Sequence, residues 1–193
     1  MTDINAPVTA RPRQLGEARA DQDLRVLSVR DRERLIAYAE LLFFAYRDFT
    51  AEPDAVLAEF SFGRAHHRVL HFVNRRPGLR VADLLDILKI TKQSLARVLK
   101  QLVDQGFIVQ QAGAADRRER LLYPTAKGSA LAEKLASLQT ARIAKALSEA
   151  GADGERSALR FLAGMISPSD RARVEALIAG AGLHGPARTG HGR

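Results

Sequence analysis

The segment from residue 91 to residue 128 constrains the fold of this chain more than any other. Its first part has apolar residues at i, i+3, i+4, i+7 and i+8 from Leu95 to Val103, which is the pattern of an amphipathic helix. Two short apolar runs follow, at 107–109 and 121–123, joined by a polar span that contains glycine and a basic loop. Such a pair of runs predicts a β-hairpin. A helix and a hairpin with a charged tip offer two shapes, one for the major groove of a duplex and one for the minor groove.

The positive charge of the chain is concentrated around this segment. Residues 60–128 contain 13 Lys and Arg against 5 Asp and Glu, and the other residues contain 17 of each sign. The formal net charge of +8 therefore arises entirely within 60–128. Such a concentration indicates a polyanionic partner, most often nucleic acid. An anionic membrane surface, or a solvated basic face without a partner, is the alternative.

Several classes of protein are excluded or disfavoured by what the sequence lacks. There is no Cys, which excludes disulfides, thiolate metal sites and thiol redox switches. No apolar run approaches the roughly 20 residues that span a bilayer, and the N-terminus contains acidic residues and no signal-peptide pattern, so we expect a cytoplasmic protein without a membrane partner. The sequence contains no G-x-S-x-G, P-loop, dinucleotide or H-E-x-x-H motif, so we expect no enzyme activity.

Two short helices joined by a tight turn are predicted at 81–88 and 92–105, with Thr91 as the N-cap of the second. This unit lays its second helix in a DNA groove. Since its apolar stripe faces the core, the outward residues are Lys92, Gln93, Ser94, Arg97, Lys100 and Gln101. Gln can pair with adenine, Arg with guanine, and Ser with a base edge or a phosphate, while the two Lys suit phosphates. The alternative is an ordinary solvated helix face.

The hairpin loop alternates cations with acids. Arg117, Arg118 and Arg120 lie beside Asp116 and Glu119. A carboxylate close to a guanidinium can hold it in one rotamer, which lowers the entropy lost on docking. An oriented Arg can then enter the narrow minor groove of A/T-rich DNA. The alternative is a solvated turn whose charges only prevent edge-to-edge pairing of strands.

Other helices are predicted on both sides of this unit. The first begins near residue 31 and ends before Pro53, and a second covers 63–74. A long helix opens at Thr125 and continues to about residue 150, and a last helical region at 155–178 is interrupted at Pro168. Residues 1–25 are expected to be a disordered arm and 181–193 a glycine-rich disordered tail.

The residues 116–128 resemble the wing signature of the MarR family of transcriptional regulators, which runs Asp-x-Arg, a short strand and then Leu-Thr-x-x-Gly. Residues 82–84 and 91–94 are similar to the family's helix-turn-helix, and 99–108 to the end of its recognition helix. The resemblance covers about 31–180. The chain departs from the pattern at Pro124, where the family usually has Leu, and at Lys89, where many relatives have Gly.

This resemblance implies a mainly α-helical protein with a small β-hairpin wing, a winged helix-turn-helix with N- and C-terminal dimerisation helices. The implied domains are a dimerisation helix at 26–60, a DNA-binding domain at 61–128 and C-terminal dimerisation helices at 129–180. A homodimer would read an inverted repeat with recognition helix 92–105 and wing 107–123. Asp116 and Arg118 would form the wing pair. Independent support for a dimer comes from apolar faces at 35–46, 161–166 and 174–178, which a small winged domain cannot cover alone.

Many members of this family bind a small acidic or phenolic effector in a cleft between the dimer helices and the DNA-binding lobe. By position, that cleft would be lined by Phe44, Arg47, Phe62, His66, His67 and Arg68. His67 and His71 are spaced i, i+4, as metal or haem ligands often are, but no third ligand is evident. We therefore expect no cofactor. The alternatives to a DNA-binding regulator are a winged-helix module that binds protein or RNA, and a ligand or haem sensor that uses His67 and His71.

Overall fold

The computed structural model describes residues 28–113 and 116–179, so the predicted arm 1–25 and tail 181–193 lie outside the described residues. The helices of the described chain are α1 (Val29–Ala58), α2 (Arg64–Arg75), α3 (Val81–Leu88), α4 (Lys92–Asp104), α5 (Ala126–Glu149), α6 (Gly154–Met165) and α7 (Pro168–Ile178). Its strands are β1 (Leu79–Arg80), β2 (Ile108–Ala112) and β3 (Arg120–Pro124).

The chain divides into two compact units, one that ends at Arg142 and one that begins at Ile143. The first contains α1–α4, the sheet and most of α5, and the second contains the end of α5 with α6 and α7. The predicted mainly helical fold with a small hairpin is confirmed. The predicted interruption at Pro168 is also confirmed, because this proline occupies the first turn of α7, where its missing N–H has no helical partner to lose.

The core of the first unit forms where the apolar stripes of α2, α3 and α4 meet the hairpin. Leu70, Leu84, Leu95 and Leu102 are all buried. Burial of one such Leu contributes about 1.5–3 kcal/mol relative to exposure. Because these side chains share one face of each helix, the opposite face of α4 is left to solvent.

Phe107 connects several parts of this unit. It follows α4 directly and is almost fully buried, with its ring edge-on to the rings of Phe60 and Phe62 at centroid distances of 5.2 Å each. Its N–H donates to the carbonyl of Leu102 (2.8 Å), and its own carbonyl accepts from the N–H of Thr125 (3.1 Å). The end of α4, the first strand of the hairpin and the start of α5 are therefore held at one point, which we call the Phe107 junction.

The prediction that the first helix ends before Pro53 is wrong, because α1 continues through the proline to Ala58. Proline inside a helix removes one backbone hydrogen bond. Here Pro53 and Leu57 are fully buried, so the packing of the last turns of α1 offsets that loss. Tertiary contacts, which the local sequence does not reveal, thus decide where the helix ends.

The sheet has the order β1-β3-β2 and is antiparallel throughout. The predicted hairpin is confirmed as β2 and β3, whereas β1 was not predicted because two residues are too short to show a strand pattern. Pro124 lies at the end of β3, opposite Ile108. The Thr125 N–H bonds to Phe107 immediately afterwards, so the chains stay paired past the proline.

The turn between α3 and α4 contains Lys89 in the left-handed conformation, with φ of 53°. Glycine is the usual residue at such a helix end because it has no Cβ. The N–H of Lys89 still donates to the carbonyl of Leu85 (2.9 Å). The turn therefore closes as a regular helix end although a lysine replaces glycine.

Gly128 allows α5 to pass close to the Phe107 junction. A Cβ added at Gly128 would lie 2.0 Å from the carbonyl oxygen of Phe107, a distance that forces the backbone to move. We expect Gly128→Ala to lower the free energy of unfolding by about 1–3 kcal/mol or more, measured by urea denaturation.

Gly164→Ala is the matched control, because nothing lies within 4 Å of a Cβ at that position in α6. In that helix we expect Ala to be neutral or to stabilise by up to about 1 kcal/mol. Equal effects of the two substitutions would contradict the close approach at Gly128.

Candidate nucleic-acid interface

Helix α4 presents a polar face to solvent. Its buried residues are Leu95, Val98, Leu99 and Leu102, and the side-chain oxygen of Thr91 caps the helix by accepting from the N–H of Ser94 (3.1 Å). The predicted cap is confirmed. The outward residues of the predicted site on this helix are all exposed: Lys92, Gln93, Ser94, Arg97 and Lys100.

Two of these residues already have partners within α4 or at its cap. The Ser94 hydroxyl accepts a hydrogen bond from the Thr91 hydroxyl (2.9 Å) and keeps its own proton to donate. The Lys100 ammonium forms an exposed ion pair with Asp104, one turn further along. Exposed pairs of this kind are weak, so Lys100 can exchange Asp104 for another anion at little cost.

Gln101, the remaining predicted residue of this face, is also exposed, and its side chain contacts another helix. Its side-chain Oε1 lies 2.6 Å from Nε2 of His66 on α2. His66 Nδ1 accepts from the N–H of Gly63 (3.1 Å), so Nε2 carries the ring proton and donates it to Gln101. The Gln101 amide thus fastens α4 to α2, and the helical pattern alone could not show this because the partner is 35 residues away.

The wing tip, residues 113 and 116–119 of the described chain, is built differently from the expected pair of carboxylate and guanidinium. The Asp116 carboxylate accepts from the backbone N–H of Arg118 (2.8 Å), not from a guanidinium of the loop. Glu119 pairs with Arg80 on β1, at 3.2 Å. Short acids in turns prefer such local backbone bonds, which leaves the side chains of Arg117 and Arg118 exposed.

Between α3, α4 and the wing lies a groove of about 780 Å³, which we call the interface groove. Apolar side chains such as Leu85 and Leu99 line its walls. The groove brings together residues from both predicted probes: Lys92, Lys100, Asp116, Arg118 and Arg120. Gln93, Ser94, Arg97 and Arg117 are exposed but do not line it. Helix and wing therefore form the two sides of one cationic surface.

Arg80 is a residue of this groove that the sequence did not single out. Its guanidinium holds the Asp83 carboxylate through two bonds, of 2.8 and 2.7 Å, and reaches Glu119 with a third nitrogen. The bond to Asp83, followed by that to Glu119, raises the pKa of Arg80, and Arg80 lowers the pKa of Asp83. The spacing of three residues to Asp83 was visible in the sequence, but the partner at 119 was not.

A second cavity, of about 280 Å³, lies between α1, α2 and α5. Of the six predicted effector residues, His67 and Arg68 line it. The lining is completed by residues that were not predicted as effector ligands: Tyr46, Phe49, Thr50, Arg64, His71, Phe72 and Gln139.

The other four predicted effector residues do not line this cavity. Phe62 and His66 are buried in the core, where their rings stack at 4.6 Å. Phe44 is exposed on α1, and the guanidinium of Arg47 lies over its ring (5.1 Å) while bonding to Asp48. On α1, the helical phase brings Tyr46, Phe49 and Thr50 to the cavity instead of Phe44 and Arg47.

The two histidines of the second cavity, His67 and His71, both have a lowered pKa. Burial is the main cause that lowers the pKa of each, followed by the charge of His71 for His67 and of Arg75 and Arg76 for His71. A His with a lowered pKa binds fewer protons in the folded state than in the unfolded state at mildly acidic pH. Acid should therefore destabilise the fold through these residues as the pH falls below about 6.5.

We expect the double variant His67→Gln, His71→Gln to lose less stability than the wild type between about pH 7.5 and pH 5.5, measured by urea denaturation. Above about pH 7.5 the pH dependence of the two proteins should coincide, since both histidines are neutral there. Parallel losses across the acidic range would contradict the burial of these rings.

Across residues 28–113 and 116–179, no group of three or more His, Cys, Asp or Glu side chains is arranged to hold a metal ion. None of the helices in this part of the chain combines the length and apolar character needed to cross a membrane.

The tandem α3–turn–α4, followed by a hairpin that shares a cationic groove with α4, defines a winged helix-turn-helix protein. Solved structures agree with this class. The transcriptional regulator SlyA superposes with a TM-score of 0.57 at 20% identity, over 76% of this chain and 98% of that one. A MarR transcriptional regulator from Methanosarcina mazei gives 0.55 at 23% identity, over 66% and 86%. At these identities the likeness shows the fold.

Sequence relatives show the family. A sequence model described as the MarR family matches residues 60–119. The HTH-type transcriptional regulator PetP of Rhodobacter capsulatus is 43% identical over 145 residues, which are 75% of this chain and 87% of the relative. The HTH-type transcriptional repressor Rv2887 of Mycobacterium tuberculosis is 28% identical over 111 residues, 58% and 80% of the two chains. The chain belongs to the MarR family of transcriptional regulators.

Proposed function

We propose that this MarR-family regulator acts as a homodimer that reads an inverted repeat in double-stranded DNA, with one α4 and one wing on each half-site. The observation that carries the proposal is the interface groove, in which cations of α4 and of the wing line the same surface. A helix of this width fits the major groove, and an exposed Arg at a loop tip fits the neighbouring minor groove.

The outward face of α4 supports a role in base readout. Gln93 and Arg97 are exposed and have the donor patterns that match adenine and guanine edges. Lys92 and Lys100, at the rim of the groove, suit phosphates, which position the helix without specifying sequence. In the wing, Arg118 and its neighbours Arg117 and Arg120 are exposed and suit the minor groove and its flanking phosphates.

The dimer is supported by α1. Of its 30 residues, the buried ones are Thr50, Pro53 and Leu57, all in the second half. The first half exposes large apolar side chains, with Leu41 at 64% and Phe43 at 72% exposure. Helices α6 and α7 have no buried residue in the described chain. A second copy of the chain would cover such faces, and a two-fold dimer would match an inverted repeat.

The second cavity supports modulation by an anionic effector. Arg64 lies at its wall, paired with Asp54 (2.9 Å), and Arg68 bonds to the carbonyl of Leu88 at the end of α3 (3.1 Å). A carboxylate bound in the cavity would compete with the Leu88 carbonyl for Arg68, and would thereby alter the end of α3 in the helix-turn-helix.

The proposal requires no cofactor, no enzymatic reaction and no membrane partner, and it places the protein in the cytoplasm with the DNA. Haem binding at His67 and His71 would appear as a Soret band.

We expect Arg97→Ala to relax specificity at one base position by about 1–3 kcal/mol. Arg118→Ala should weaken binding and reduce the preference for A/T pairs flanking the site, because the minor-groove contact is lost. Both effects are measured by fluorescence anisotropy with operator duplexes that carry single base changes or G/C flanks.

Lys134→Ala is the control, since Lys134 is exposed on α5 and the substitution removes the same charge. If all three variants weaken binding equally for every duplex, the groove assignment is wrong. If wild-type protein binds operator and scrambled duplexes equally, that result supports the alternative of a protein- or RNA-binding module.

A further inference from the structure

We infer that Arg80 is a positioning residue for the wing, which it holds by tying Glu119 at the wing tip to the first turn of α3. The inference rests on the proposed function, since it assigns a role in DNA binding to a residue that need not touch DNA. It concerns a contact between two parts of the chain that are 39 residues apart.

The Arg80 guanidinium binds Asp83 with two of its nitrogens and Glu119 with the third. Two nitrogens bind the two oxygens of Asp83, at 2.8 and 2.7 Å, so the guanidinium plane is set by α3. The remaining nitrogen, Nη1, donates to Oε1 of Glu119 (3.2 Å). Because β1 pairs Arg80 with Leu121 of β3, the backbones on both sides of this contact are also in register.

Glu119 connects the contact with Arg80 to the turn that carries Arg117 and Arg118. Its N–H donates to the carbonyl of Asp116 (3.0 Å), and its carbonyl accepts from the N–H of Gly113 (3.1 Å). Gly113 is buried, and a Cβ there would lie 2.7 Å from the Asp116 carbonyl. The turn that carries Arg117 and Arg118 is thus closed by Glu119, whose carboxylate Arg80 holds.

The charges explain why this contact matters for DNA. With Arg80 in place, the Glu119 carboxylate is occupied on the side of α3. Without Arg80 it would be free to pair with a wing arginine or to repel a phosphate. Arg80 therefore keeps a carboxylate at the tip from neutralising the cations that the interface groove presents.

A surface ion pair without a positioning role would have a different effect on DNA binding. The side chains of Arg80 and Glu119 are 51% and 39% exposed, and such pairs contribute little to global stability. If Glu119 acted only as a negative charge near DNA, its removal would strengthen binding. If Arg80 holds Glu119 as part of the wing tip, Glu119 should instead be needed for the wing to distinguish A/T-flanked from G/C-flanked operators.

The experiment compares Glu119→Gln, Arg80→Gln and their double variant with Asp86→Asn. Asp86 is exposed on the same helix as Asp83, and Asp86→Asn removes one negative charge without touching Arg80. Arg80→Lys keeps the charge but cannot form the fork. Hydrogen exchange of wing-tip amides is measured without DNA, and the ratio of affinities for A/T-flanked and G/C-flanked operators is measured by anisotropy.

We expect wing-tip exchange to rise about two- to fivefold in Glu119→Gln and Arg80→Gln, with no further rise in the double variant. Arg80→Lys should be intermediate, and Asp86→Asn should match the wild type. The A/T preference should fall in the same order. Equal thermal unfolding of all variants would show that the effect is local.

The inference is overturned if Glu119→Gln behaves like Asp86→Asn in both exchange and A/T preference. Failure of the proposed function looks different. In that case the wild type itself does not distinguish an operator from a scrambled duplex. The role of Arg80 in DNA binding is then also wrong, even if the exchange rates change as expected.

Discussion

The burial of Phe107 is the interaction on which the rest of this structure depends. Its ring joins Phe60 and Phe62 in the core, and its backbone links the end of α4 to β2 and, through Thr125, to the start of α5. Gly128 permits the close approach of α5. The end of α4 and the hairpin are thus held together at the Phe107 junction, so that α4 and the wing keep a fixed orientation to one another.

Helix α4 turns its polar face to solvent because its apolar face is buried. Because Leu95 and Leu102 are buried against α2 and α3, Arg97 is turned to solvent. The wing adds its own cations, and backbone bonds within the tip hold their turn in shape. The concentration of positive charge in residues 60–128, which composition alone showed, becomes a groove with a helix on one side and a loop on the other.

Features set by short-range interactions were predicted from the sequence, and features set by distant contacts were not. The Thr91 cap, the hairpin and the break at Pro168 depend on neighbours a few residues away, so local patterns reveal them. The passage of α1 through Pro53, the bond from Gln101 to His66 and the contact of Arg80 with Glu119 depend on packing between elements. The burial of Phe62 and His66 in the core has the same origin.

In the proposed mode of binding, helix and wing engage two grooves of one duplex, once on each half of an inverted repeat. A dimethyl sulfate footprint on a genomic fragment selected by the protein tests this most directly, because the reagent methylates guanine N7 in the major groove and adenine N3 in the minor groove. We expect two symmetric sets of protected guanines, each flanked on its outer side by protected adenines. Protection in one groove alone, or in a single unrepeated set, would contradict the account.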